Sequence, residues 1–187
     1  MGKIICIYGL AACGKTTQAD LICADNGMVQ FGMGDTLRAE IESGSELGQK
    51  IKSYVDQGIL ITDDLMAEVI KKVSDEAKTK GIIFDGFPRM MSQATMLEKV
   101  GAEMGMDVEK FIYLKVGVDE VIKRISKRSE TGGRADDKDP AVVQSRLDVF
   151  AKESVPLLEY YKNNGKLVEI DGEMSIEDVF AEIKKHL

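Results

Sequence analysis

The sequence predicts an α/β fold: a five-stranded parallel sheet flanked by helices. Three observations carry that prediction. Five short apolar runs rich in β-branched residues recur along the chain, at Lys3–Tyr8, Met28–Phe31, Gly81–Asp85, Phe111–Val116 and Leu167–Ile170. Segments of helical period separate them, and strands alternating with helices form parallel sheets with crossover helices. The first strand passes into the first helix through Gly9-Leu-Ala-Ala-Cys-Gly-Lys-Thr-Thr17, which fits the spacing Gly, four residues, Gly, Lys, Ser or Thr of a phosphate-binding loop.

Each element has its own signal. After the loop, Gln18–Asn26 is helix-compatible through Ala19, Leu21, Ile22 and Cys23. The Met28–Phe31 strand follows, then a helix over Asp35–Ile41 opened by Gly34 and Asp35, and a second short helix over Glu46–Asp56 with Gly58 as its C-cap. These two helices form a small insertion between strands. Thr62 or Asp63 caps a longer helix with Leu65, Met66, Val69, Ile70, Val73 and Ala77 on one face. The third strand ends in Asp85, and Arg89 to about Val100 is helical. After the fourth strand, Val118, Val121, Ile122 and Ile125 mark another helix. Residues Arg128–Asp139 are charged, Gly-containing and aperiodic, which reads as a loop. Pro140 suits the first turn of a long helix with Val143, Leu147, Phe150 and Ala151 on its apolar side. The last strand is followed by a helix through Ile176, Val179, Phe180, Ile183 and Leu187.

Composition narrows the function classes. The 187 residues fit one domain, and 44% apolar content is enough for a full core. A net charge of −7 argues against general nucleic-acid or anionic-membrane affinity. No apolar run approaches the ~20 residues that span a bilayer, and Met1-Gly-Lys leads straight into a strand without a secretory pattern. Cys6, Cys13 and Cys23 are odd in number and lack zinc spacing, so they read as reduced thiols of a cytoplasmic protein. His186 stands alone near the end of the sequence, and no nucleophile–histidine pair can be built from it.

The chemistry-bearing residues form two groups. In the loop, Gly9 and Gly14 let the backbone turn its N–H groups toward an anion, aided by the following helix dipole. Lys15 reaches β- and γ-phosphates, and a Thr hydroxyl binds Mg²⁺. Asp85, closing an apolar strand, suits the second acidic motif that holds the same ion or its waters, although a strand-end acid also caps turns. Gly86-Phe-Pro-Arg89 makes a rigid turn that aims the Arg89 guanidinium, a fork of donors matched to phosphate or carboxylate. Arg124, Arg128, Arg134 and Arg146 gather around the charged loop. Any one of them reads as a solvated partner of acids such as Asp136, Asp137 and Asp139. Together, beside a phosphate loop, they suit the charge spread over a transferring phosphoryl group.

These motifs resemble the adenylate kinases and related nucleoside monophosphate kinases. The match runs through Gly9–Gln18, Gly34-Asp-Thr-Leu-Arg38, Asp85-Gly-Phe-Pro-Arg89 with Gln93, and Lys127-Arg-Ser-Glu-Thr-Gly-Gly-Arg-Ala-Asp-Asp137, in the family's order over essentially the whole chain. The resemblance implies a P-loop NTPase fold in one domain over 1–187, with a helical monophosphate-binding segment at 32–62 and a short lid at 128–139. It implies a Mg²⁺-dependent kinase with ATP + AMP ⇌ 2 ADP, without zinc. Ala12, Cys13, Gly14, Lys15, Thr16 and Thr17 would hold the ATP phosphates, with Mg²⁺ at Thr16 and Asp85. Arg124, Arg128 and the Met174 backbone would serve the rest of ATP. Met33, Arg38, Ile59, Leu60, Ile61, Gly86, Phe87, Arg89, Gln93, Arg134 and Arg146 would hold AMP. Lys15, Arg89, Arg128, Arg134 and Arg146 would act on the transferring group. The partners implied are nucleotides, with no nucleic acid and no membrane, and a monomer is the expected unit.

Three departures from the family pattern matter. The loop carries Leu10-Ala-Ala-Cys where the family usually has a Pro after its first Gly, and Gly14-Lys-Thr-Thr where it has Gly-Lys-Gly-Thr. Thr16 restores the general phosphate-loop pattern. Met33 stands where adenylate kinases commonly carry a Thr against the adenine of AMP, so relaxed acceptor selection is expected. A UMP/CMP or broad-specificity kinase is the neighbouring reading, and a nucleotide-dependent switch is the reading from another class. The sequence lacks an Asn-Lys-x-Asp guanine-reading motif.

Overall fold

The computed structural model describes residues 2–56, 61–77, 80–130 and 139–187, with no side-chain description for 73–77. Five parallel strands lie in the order β2-β3-β1-β4-β5: β1 Lys3–Tyr8, β2 Val29–Gly32, β3 Ile82–Asp85, β4 Asp107–Lys115 and β5 Leu167–Asp171. Among the described residues the helices are α1 Lys15–Asn26, α2 Met33–Glu42, α3 Glu46–Asp56, α4 Asp63–Ala77, α5 Met91–Glu103, α6 Val118–Glu130, α7 Pro140–Asn163 and α8 Ile176–Lys184.

Both faces of the sheet are covered, which is why its central strands read as unbroken apolar runs. Ile4, Cys6 and Tyr8 of β1 face one core layer with Phe31, Phe84 and Phe111, packed under α4, α5 and the end of α7. Ile5 and Ile7 face the other with Ile83, Ile112 and Leu114, under α1, α6 and α8. Aromatic contacts bind the first layer: Phe31 and Phe84 centroids lie 4.8 Å apart, and Phe111 stacks on Tyr161 at 4.1 Å.

Several boundaries differ from those the periodicity predicts, each for a local reason. α1 begins at Lys15, three residues early, because Gly14 in the left-handed region opens the helix directly. α2 begins at Met33 from a Gly32 N-cap, so Asp35 lies inside the first turn. β4 begins at Asp107, since the polar stretch Asp107–Lys110 pairs with the start of β1, Lys3 opposite Asp107. α5 begins at Met91 and continues to Glu103. Thr62, of the two candidates, caps α4: its Oγ1 accepts from the Leu65 N–H at 3.3 Å. Asp139 precedes Pro140 and accepts from the Ala141 N–H at 2.9 Å, so α7 starts where proline predicts. α7 then runs through Pro156 to Asn163. Gly58 lies outside the described residues, as do the side chains of Val73 and Ala77.

A polar knot joins α5, α7 and the turn before β5. The Tyr160 hydroxyl donates to Glu98 Oε2 at 2.5 Å, and Lys166 Nζ donates to Glu98 Oε1 at 3.1 Å. The bond to the Glu98 carboxylate, helped by burial, pushes the Tyr160 hydroxyl up to about 12. A raised folded pKa contributes stability that is full below the unfolded value of about 10 and lost as pH rises through the folded value. Tyr160→Phe should therefore cost about 1 kcal/mol at pH 8, and the gap to wild type should shrink by pH 11.5. Urea unfolding of both proteins at the two pH values measures this. A gap unchanged between them contradicts the assignment.

Candidate active site

The site forms at the carboxyl edge of the sheet, where parallel α/β folds place their ligands. Register puts the pieces side by side: Ile7 pairs with Asp85, and Asp85 pairs with Gly32. The turns leaving β1, β3 and β2 therefore share one edge.

The β1–α1 turn alternates left-handed and ordinary backbone, with φ of 147° at Gly9, 59° at Ala12 and 103° at Gly14. Such alternation turns successive N–H groups toward one concave side, a setting for anions. Ala12 carries a Cβ there, a strain of ~1–2 kcal/mol that the sequence pattern does not reveal. No side chain caps α1 at Gly14, which leaves the helix's first N–H groups to the same concavity. Lys15 Nζ donates to Gly9 O at 2.9 Å and Leu10 O at 2.6 Å, with Cys13 Sγ at 3.7 Å. The ammonium is thus folded back over its own loop. Thr16 Oγ1 donates to Asp85 Oδ2 at 2.5 Å across 69 residues of sequence.

Arg89 leaves the Gly86 turn, where the Phe87–Pro88 peptide is cis. Its Nε donates to Gly86 O at 2.8 Å, and its backbone N–H donates to Gln93 Oε1 at 2.8 Å. The guanidinium is therefore aimed from both sides. Arg124 is held similarly: Nε donates to Glu120 Oε1 at 2.9 Å, and Nη1 donates to Gly172 O at 3.1 Å and reaches Cys13 O at 3.5 Å. It bridges α6, the phosphate loop and the turn after β5. Arg38 pairs with Asp35 one turn earlier on α2.

These groups surround one cavity of about 940 Å³. The phosphate loop contributes Ala12, Gly14, Lys15, Thr16 and Thr17, and the β3 end contributes Asp85, Gly86 and Arg89. α2 supplies Met33 and Arg38, α6 supplies Arg124 and Arg128, and α7 supplies Arg146. In a chain of net charge −7, one cavity thus gathers Lys15 and five arginines against Asp35 and Asp85. Other expected residues lie off the wall. Cys13 and Phe87 are buried in the two core layers, and Ile61 and Met174 pack against them. Gln93 is half-buried beside the wall, engaged with the Arg89 backbone. Ile59, Leu60, Arg134, Asp136 and Asp137 fall outside the described residues.

Some wall residues escaped sequence reasoning. Tyr8, Ser145, Val149 and Phe150 line the cavity, and the Tyr8 ring stacks on Phe150 at 5.2 Å. Val149 and Phe150 lie three and four residues after Arg146, a spacing that shares its helix face. Nothing in the pattern around Tyr8 sets it apart from a core strand residue. Among the described residues there is no group of three or more His, Cys, Asp or Glu that could hold a metal ion.

The family model for adenylate kinase matches residues 7–166 of this chain. The chain belongs to the adenylate kinase family. It is 43% identical over 180 residues to a protein named adenylate kinase from Bacteroides thetaiotaomicron, covering 96% of this chain and 95% of that one. It is 44% identical over 182 residues to one from Caulobacter vibrioides, covering 97% and 95%. A Parabacteroides distasonis adenylate kinase is 40% identical over 182 residues, with the same coverage. The chain is thus a phosphotransferase of this family, and its five-stranded parallel sheet with flanking helices is the expected P-loop NTPase architecture.

The loop's geometry makes Gly9 its least replaceable position. A Cβ there would lie 2.7 Å from Cys13 Sγ and 2.8 Å from Leu114 O, at a φ that side chains rarely adopt. Gly9→Ala should weaken Mg-ATP binding by roughly tenfold or more while the far-ultraviolet spectrum keeps its native shape. Calorimetric titration with Mg-ATP checks this, and unchanged affinity contradicts it.

Proposed function

We propose that the cavity holds two nucleotides end to end and catalyses ATP + AMP ⇌ 2 ADP. One observation carries this reading: a single wall joins a phosphate loop to Arg38 and Arg89 on the α2 side and to Arg124, Arg128 and Arg146 on the α6–α7 side. Phosphoryl transfer asks the protein for positioning and for charge stabilisation, with little covalent chemistry of its own. The described side chains provide cations and donors, and no acid–base pair is required.

The donor phosphates would lie in the loop concavity, with Lys15 leaving its neutral carbonyl partners for the β- and γ-oxygens, a stronger charge-assisted bond. Arg124, tied to both the loop and Gly172, would flank the donor base, beside the Met174 backbone. Arg38 and Arg89 would clamp the acceptor phosphate, fixing it in line with the donor. Arg128 and Arg146, with Arg134, would take up the charge on the transferring group. The acceptor base would lie by Met33 and Gln93, with Ile59 to Ile61 beside it.

The Thr16 hydroxyl and Asp85 carboxylate, 2.5 Å apart at the cavity wall, are hard oxygen donors of the kind Mg²⁺ takes alongside substrate phosphates and water. They would hold the ion directly or through water, and Mg²⁺ held there would neutralise charge on the substrate phosphates. The segments 32–62 and 128–139 would be the parts that close over the substrates and exclude water. One chain supplies the whole wall, which supports a monomer as the working unit. Free Cys6, Cys13 and Cys23 support a reducing, cytoplasmic location. No helix among the described residues is long and apolar enough to cross a membrane.

Met33 at the wall brings packing without a hydroxyl, which supports looser acceptor selection with AMP still favoured. Initial rates with AMP, CMP, UMP and GMP at fixed Mg-ATP should rank AMP first with measurable turnover of the others. Near-total preference for AMP overturns the relaxed selection, and a pyrimidine in first place overturns AMP as the acceptor. Arg89→Ala should raise KM for AMP by about 10–100-fold and leave Mg-ATP affinity within a few-fold. Equal losses on both substrates refute the clamp.

A further inference from the structure

Glu40 is the one charged residue among the described residues that is buried, at 8% exposure. It lies near the end of α2, two residues beyond Arg38. Its carboxylate accepts from Lys72 Nζ of α4 at 2.7 and 2.9 Å, and from the Ser45 hydroxyl in the α2–α3 turn. Ser45 Oγ in turn accepts from the Gly48 N–H at 2.9 Å, in the first turn of α3. These bonds hold the Glu40 carboxyl below the usual carboxylate range, so it is ionised at neutral pH.

The same point is a backbone crossing. A Cβ at Gly48 would lie 2.1 Å from Glu40 O, so α2 and α3 meet there without room for a side chain. The anchor beneath is firm. Leu65, Met66, Val69 and Ile70 of α4 are buried, Ile51 of α3 enters the same layer, and Lys71 pairs with Glu103 of α5 at 2.6 Å. The opposite end of α2 continues directly from β2 and packs Met33 against the core, while Gly34, Asp35 and Arg38 line the cavity. Apolar replacements of a buried ion pair are often neutral or stabilising, so stability alone is a weak reason to hold a charge there. A fixed geometry is a better one.

We propose that Glu40 is a positioning residue for the acceptor: joined to Lys72 and Ser45, it is the fixed pivot about which α2 aims Arg38 at the acceptor phosphate. This rests on the reading of Arg38 as part of the acceptor clamp. The aim of Arg38 then depends on the bonds Glu40 makes two residues further along α2, and the donor side is untouched.

The test is steady-state ADP formation by wild type, Glu40→Gln, Lys72→Met and Lys72→Arg, varying AMP and Mg-ATP separately, with thermal melts to verify folding. Lys72 is half-exposed, so its variants keep the question open if Glu40→Gln does not fold. Glu40→Gln and Lys72→Met should raise KM for AMP about tenfold, with KM for ATP and kcat within twofold, and Lys72→Arg should keep the wild-type KM for AMP. Parallel changes in both KM values, no change in either, or Lys72→Arg behaving like Lys72→Met would overturn the pivot in an active enzyme. Wild type that makes no ADP from AMP would overturn the kinase reading itself, and the pivot with it.

Discussion

The bond from the Thr16 hydroxyl to Asp85 is the constraint on which the site depends. It joins the start of α1 to the end of β3, and it exists because β1 and β3 are neighbours with Ile7 opposite Asp85. Slipping that register by one residue would turn Ile7 and Ile83 to the wrong core layer and move Asp85 away from the loop. The hydrophobic sorting of the two layers and the alignment of Thr16 with Asp85 are therefore one condition. Burial of the sheet on both faces enforces it at every strand, and the oxygen pair at the edge follows.

Charge distribution is the second determinant. A chain carrying net negative charge gathers five of its six arginines, with Lys15, along one concave wall, where low-dielectric surroundings strengthen their effect on an anion. Three of these guanidinium groups are aimed by hydrogen bonds or ion pairs: Arg89 by Gly86 O, Arg124 by Glu120 and Gly172, Arg38 by Asp35. Aimed donors need little reorganisation when charge develops, which is the economy of a preorganised site. The Glu40–Lys72 pair, its carboxylate buried and its ammonium half-exposed, extends the same logic to a helix, tying the end of α2 to α4 close to Arg38.

Much of this was legible in the residues, unevenly. The five apolar runs gave the strands because both faces of the sheet are buried, and Gly9, Gly14, Lys15 and Asp85 announced themselves by type and spacing. Asp107–Lys110 did not read as strand, since its alternating polar residues lie at the rim of the sheet and only pairing with β1 makes them extended. Phe87 and Cys13 sit within site motifs yet point into the core, because a turn that presents one residue to a ligand must bury its neighbour. Tyr8 and Phe150 line the cavity although each looks like ordinary core, and their contact across 142 residues is a product of α7 crossing β1.

The sequence by itself determined the α/β class, the phosphate loop, the strand-end acid and the family, because these rest on local spacing and on the period of apolar residues. Tertiary structure decided which of the arginines share a wall, where Thr16 finds its acid, and how α2 is held. Those depend on strand order and register, and on burial of a charge whose partner lies 32 residues away. Local patterns fix what a segment is; only packing fixes what it faces.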